Sequence, residues 1–244
     1  MHYLYWPKAR CIVTVITIVF ILLCSHAVAQ RTVHRPEHDE WPYYFGLTLG
    51  YNSSSLHQVK ANRFLADDSV LIVNPAAGGG ITLGLLATGR LNEYFQIRAN
   101  PQLIIGGAKY FNYTLGSIRT GESITQRQIL PSTLISLPIS IKFNSDRIRN
   151  FRTYLLGGFR FDKDLSSNSA ARNAEDMIKL SGNDFAAEIG IGFSFYLPFV
   201  TVSPEIKFSY GLRNLHLKDN ALKYSSVLDK IQSRMISFSI HLED

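Results

Sequence analysis

Between Tyr94 and Leu103 the sequence YFQIRANPQL alternates without a fault. Phe95, Ile97, Ala99, Pro101 and Leu103 take one parity, and Gln96, Arg98, Asn100 and Gln102 take the other. Successive side chains of a strand point to opposite faces, so one face here is wholly apolar and the other wholly polar. In a water-soluble sheet the apolar face meets a core. In a membrane barrel it meets lipid, and the polar face lines the lumen. A single strand does not separate the two.

The first 30 residues set the compartment. Lys8 and Arg10 precede an apolar run from Cys11 to Cys24, followed by Ala27-Val28-Ala29. A basic start, a short apolar core and an A-x-A site make a secretory signal peptide. The run is shorter than the roughly 20 apolar residues that a spanning helix needs. Cleavage is expected after Ala29, with Gln30 as the first mature residue. Both cysteines lie in the removed segment, which excludes disulfides, thiolate catalysis and Cys-ligated zinc in the mature chain. Removing Lys8 and Arg10 from 25 Lys+Arg leaves 23 against 19 Asp+Glu, a net +4. The signs are interspersed, which argues against a nucleic-acid surface.

Beyond the leader, residues 30–42 are polar and read as a periplasmic lead-in. His34, His38, Asp39 and Glu40 have the chemistry of metal ligands, but their loose spacing favours a solvated tail. From Tyr43 onward the period-two pattern recurs eight times: 43–51, 79–86, 94–103 (with an extension as far as Tyr113), 128–144, 151–161, 184–196, 200–210 and 233–242. The connections alternate. Residues 52–78, 114–127, 162–182 (with a possible helical turn at 170–180) and 211–232 are long. Residues 87–93, 145–150 and 197–199 are short. A β-sandwich is the competing architecture, but it has no reason to sort its loops in this way. An outer-membrane barrel does, with long loops outside, short turns in the periplasm and both termini periplasmic. The expected fold is all-β: a transmembrane eight-stranded antiparallel up-and-down barrel over residues 43–244. Closure would also remove the free edges of so many apolar strands.

The expected lumen carries Arg98, Lys142, Arg152, Arg160, Glu188, Glu205 and Lys207. Eight strands enclose a space just wide enough for side chains to fill. These charges should therefore pair and plug it, since an unpaired buried charge is strongly destabilising. Arg98 is expected to pair with Glu188 or Glu205. Glu188 and Glu205 also resemble a general acid/base pair, but salt bridges to the arginines explain them better. No G-x-S-x-G, H-E-x-x-H or P-loop is present, and His57, His216 and His241 suggest no catalytic set. No enzyme activity, metal, cofactor or small-molecule substrate is expected; the alternatives are a barrel enzyme acting on lipid or peptide and a surface adhesin. Pro101, Pro138 and Pro204 lie within strands, where proline removes a ladder hydrogen bond. Each should mark a bulge or local break.

Several motifs carry a family resemblance. Phe95-Gln96-Ile97-Arg98 with Pro101 and Leu103 is one; Leu137-Pro138-Ile139 with Lys142-Phe143, Arg147, Asn150, Tyr154 and Gly157-Gly158 is another. The clearest is Glu188-Ile189-Gly190-Ile191-Gly192-Phe193. It continues into Ser203-Pro204-Glu205-Ile206-Lys207-Phe208-Ser209, then Gly211-Leu212 and Asn214. In order and spacing these resemble the PorT/SprT family of Bacteroidota outer-membrane barrels. The resemblance implies a role in type IX secretion, which exports cargo with a C-terminal signal, in some members linked to gliding or to release of surface proteases. The implied partners are outer-membrane lipid and other secretion components. The resemblance implies no catalytic residue. One departure is the C-terminus, His241-Leu242-Glu243-Asp244, which lacks the terminal aromatic that many barrels use in assembly.

Overall fold

A computed structural model describes residues 32–60, 70–106, 109–115, 125–130, 132–166, 180–217 and 228–244. The signal-peptide expectation, with Ala29 and Gln30, and residues 170–179 lie outside the described residues. The chain divides into a unit of residues 1–34 and a compact unit of residues 35–244, and the second contains all the regular structure among the described residues.

A short 3-10 segment, η1 (Pro36–Asp39), precedes twelve strand segments: β1 (Tyr43–Lys60), β2 (Val70–Ala76), β3 (Gly78–Arg90), β4 (Phe95–Ala99), β5 (Gln102–Ile105), β6 (Lys109–Leu115), β7 (Thr125–Leu130), β8 (Thr133–Asn144), β9 (Phe151–Asp164), β10 (Asn183–Tyr196), β11 (Thr201–Gly211) and β12 (Leu228–Glu243). All their pairings are antiparallel. The main sheet runs β1-β12-β11-β10-β9-β8, then through β4 and β5 to β3, and β3 pairs back with β1. Because β4 and β5 are two halves of one stave, the ring has eight staves and no free edge.

The alternation read from the sequence sets which face is which. In β8, Leu134, Ser136, Pro138, Ser140, Lys142 and Asn144 are buried, while Ile135, Leu137, Ile139, Ile141 and Phe143 are exposed. The apolar face therefore points outward all round the ring; Leu47 is 55% exposed and Ile189 67%. Such a surface requires a lipid solvent, and closure lets every stave satisfy its backbone groups within the ring. Outward aromatics gather toward the short-turn end, where Phe95 meets Phe143 at 5.1 Å and Phe151 meets Phe195 at 5.3 Å. Others gather toward the far end, where Phe159 stacks on Phe185 at 5.3 Å. Tyr43 joins the first girdle, but Tyr44 and Trp41 do not. Tyr44 is buried in the ring and donates to Gln96 Oε1 at 2.9 Å, and Trp41 packs on His38.

The strands reach further than their alternation. Residues 52–60, expected as loop, continue β1, because β12 keeps pairing beyond the apolar belt: Asn52 stands opposite Ser237 and His57 opposite Gln232. Val70–Ala76 is likewise strand rather than loop, in a separate sheet of order β2-β6-β7. Backbone pairing needs no apolar face once a partner strand is in place. Leu228–Gln232, also expected as loop, opens β12.

The prolines share one device. Asn100 and Pro101 interrupt the stave between β4 and β5, and Pro138 lies opposite that gap in an unbroken β8, accepting from Asn100 N–H at 3.1 Å. Pro204 sits in an unbroken β11 where the ladder to β10 skips from Gly192–Glu205 to Phe195–Val202. Each missing N–H thus falls at a local break, and none adds a residue as a bulge would.

Candidate functional site

The inward side chains divide into two charge clusters. The first lies toward the short-turn end and is centred on Arg98 of β4. Its Nη1 is 2.8 Å from Glu205 Oε2, and its Nη2 is 2.7 Å from Glu243 Oε1. Tyr154 donates to the same Glu205 oxygen at 2.8 Å, and Lys207 Nζ lies 3.5 Å from the other oxygen. Lys142 Nζ sits 4.0 Å from the centre of the Tyr154 ring, a cation–π geometry. The second cluster lies toward the long-loop end. Arg160 Nε meets Asp162 at 2.8 Å, and Nη1 meets both Glu188 at 3.0 Å and Ser209 Oγ at 2.8 Å. Ser209 in turn donates to Glu188 at 2.7 Å, and Ser136 donates to Asp162.

Six of the seven charged residues singled out from the sequence fall into these clusters. Arg98 stands with Glu205 and not with Glu188, which belongs to Arg160. Arg152 is elsewhere, at the short-turn mouth on Asp39. Glu243, Asp162, Tyr154 and His241 complete the clusters. Their parity within β12 and β9 was the available signal, Glu243 following His241, Ser239 and Ser237 on one face.

The mouth at the short-turn end is covered by residues 35–42, where a solvated tail was expected. Arg35 takes a left-handed conformation at φ 50° and turns the chain into η1. Its guanidinium donates to the Glu243 carbonyl at 3.1 Å and to Thr201 Oγ1 at 3.4 Å, and it reaches Asp244 at 3.5 Å. Asp39 bridges Arg147 and Arg152, each at 2.9 Å. Arg147 also lies 3.6 Å from the centre of the Tyr196 ring. His38 is buried against Tyr44, Tyr196 and Trp41. Burial holds its pKa below the usual histidine value, a depression that Glu243 partly opposes.

One set of residues has the outline of catalytic machinery. Thr48 Oγ1 lies 2.9 Å from His241 Nδ1, and His241 Nε2 lies 3.3 Å from Glu205. Its chemistry is closed off. Thr48 Oγ1 also lies 3.2 Å from Asn100 Oδ1, a second acceptor for its one proton, and all three side chains are buried among other inward groups. A reacting carbonyl needs a free position near the nucleophile, and Thr48, His241 and Glu205 are each no more than 2% exposed. The open space between Lys109, Asp162, Asp164 and Asp184, at the long-loop end, is about 30 Å³, room for one water. Among the described residues no group of His, Asp and Glu has the arrangement of a metal site. His216, within the connection expected over 211–232, is buried, with its backbone bridged to Leu180.

Residues 37–217 match the model of the outer membrane protein beta-barrel domain family. Among solved structures, the chain is similar to Neisserial surface protein A (11% identity, 81% of this chain and 96% of that one, TM-score 0.41). It is also similar to the attachment invasion locus protein of Yersinia pestis in complex with a heparin analogue (12%, 84% and 100%, 0.39). A third is the outer membrane protein OprG from Pseudomonas aeruginosa (10%, 81% and 94%, 0.38). Among curated proteins the chain has no match.

Proposed function

This chain belongs to the outer membrane protein beta-barrel domain family, and on that premise we propose that it is a closed, non-enzymatic barrel that supports type IX protein secretion. The observation that carries the first half is the filled lumen. Two buried charge clusters occupy it, and residues 35–42 cover one mouth. A barrel whose described lumen is filled in this way acts through its surfaces. Its long loops and the segment before β1 are the surfaces offered to partner proteins.

The secretion role rests on the PorT/SprT resemblance. The stretch that carries it best builds the plug: Glu188, Gly190, Gly192, Ser203, Glu205, Lys207 and Ser209 all point inward. A family signature kept in the lumen favours a shared closed barrel over a shared ligand. In the same reading residues 1–29 are a leader removed after Ala29, both termini are periplasmic and the long loops face outside.

A deletion strain tests the role. Retention of cargo bearing the C-terminal signal in the periplasm is expected. Normal export accompanied by altered lipid A or adhesion overturns it. In planar bilayers the purified barrel should give no large stable conductance, and such a conductance would refute the closed lumen. N-terminal sequencing of the mature protein should begin at Gln30, and retention of Met1 refutes the leader.

A further inference from the structure

On the outer wall of the barrel the lipid-facing surface is not uniformly filled. Over most of the belt, outward positions hold Leu, Ile or Phe. Across β10, β11, β12 and β1, near the long-loop end, Ala187, Ser53 and Ser55 recede between larger neighbours. The result is a groove of about 550 Å³ whose lining includes Ile189, Phe208 and Ile236, with Ala77 beside them. That volume falls in the roughly 300–1,000 Å³ range of ligand clefts.

One end of the groove carries a cation. Outward positions on β12 are apolar at Leu242, Ile240, Phe238 and Ile236, and the next is Arg234. Arg234 lies eight residues from Leu242, about 27 Å along the strand at about 3.4 Å per residue. A tilt of roughly 40° shortens this to about 21 Å, so the guanidinium sits close to the edge of an apolar band about 25 Å tall. It stands 5.2 Å from the Tyr210 ring, its cross-strand partner. Among the described residues no carboxylate pairs with it.

A guanidinium on a ring, at headgroup depth, above an apolar groove, matches an anionic amphiphile. We propose that this groove binds one phosphate-bearing lipid of the outer leaflet, with an acyl chain against Ile189, Phe208 and Ile236 and the phosphate on Arg234. Arginine recognises phosphate oxygens through paired N–H donors, and the ring keeps the planar group oriented. The proposal does not depend on the secretion role, but it rests on the orientation proposed above, with the long loops outside.

The test is native mass spectrometry of the full mature protein in detergent, with lipid A and with the same lipid stripped of its phosphates. Heat-modifiable mobility verifies that each variant is folded. The wild type should retain one lipid A and bind the stripped lipid at least about tenfold more weakly, the loss expected for one charge-assisted contact. Arg234→Gln should show the same loss, and Arg234→Lys should restore part of it. Ala187→Trp keeps the cation but fills the groove, and should also lose about tenfold. The proposal is overturned if both Arg234→Gln and Ala187→Trp bind like the wild type. It is equally overturned if Ala187→Trp alone has no effect, or if excess inorganic phosphate displaces the lipid, since the site would then be one for free anions.

Discussion

Replacing Arg98 by Leu removes the guanidinium that two buried carboxylates share. Glu205 keeps other partners, since Tyr154 still donates at 2.8 Å and Lys207 remains at 3.5 Å. Glu243 loses its only side-chain salt bridge among the described residues. Breaking a buried pair by deleting one partner costs about 3–5 kcal/mol, most of it the stranded charge. The two contacts share one group, so the cost should lie within that range and not at twice it. The assay is urea unfolding of the refolded barrel in detergent, followed by loss of heat-modifiable mobility. The double variant Arg98→Leu, Glu243→Leu removes the stranded carboxylate as well, and should recover at least about half of the loss, because a buried pair replaced by apolar groups of similar size is often neutral. A single-variant loss below about 1 kcal/mol, or a double variant no better than the single, refutes the assignment of Arg98 as the hub of this cluster.

Asp39→Ala should release η1 from Arg147 and Arg152 at a cost of about 1 kcal/mol, since both pairs are partly solvated; faster proteolysis within residues 35–42, with the barrel intact, reports it. The docking of that segment should also depend on pH. His38 has a lowered pKa when docked and an ordinary one near 6.5 when released, so the released form binds more protons below about pH 6.5. Docking is therefore complete above that pH and weakens as pH falls through it, which Trp41 fluorescence should follow; His38→Phe should flatten the profile. Gly158→Val places a side chain against the Ile139 carbonyl and Ser140 of the neighbouring strand. Overpacking of this kind costs about 1–3 kcal/mol, measured in the same urea assay.

Inward and outward identity was legible residue by residue because it depends only on parity. Phe95, Ile97 and Leu103 face out and Gln96 and Arg98 face in, whatever else the chain does. Three things lay outside that signal. Strand length beyond the belt, as in Asn52–Lys60, depends on a partner strand and shows no alternation of its own. The partner of each charge depends on the stagger of the closed ring. That stagger brings Arg98 to Glu205 and Glu243 across a distance the sequence does not encode locally. The mouth segment was misread for a related reason. Pro36–Asp39 is polar and short, and it is held mainly by residues more than 100 positions away, Asp39 by Arg147 and Arg152 and His38 by Tyr196, with Arg35 just before it on Thr201 and Glu243.

The two closures are not independent. Glu243 receives Arg98 on its carboxylate and Arg35 on its backbone carbonyl, so the last residues of β12 join the lumen cluster to the mouth segment. The same stretch places His241 on Thr48 and Glu205. A solute path would have to break the Arg98 cluster and lift η1 together, losing buried ion pairs in the first and partly solvated ones in the second. An eight-stave ring has little room for such a rearrangement, because its interior is already filled by the side chains that hold it closed. That filled interior is why the role proposed above is partner binding through the surfaces and not transport through the lumen.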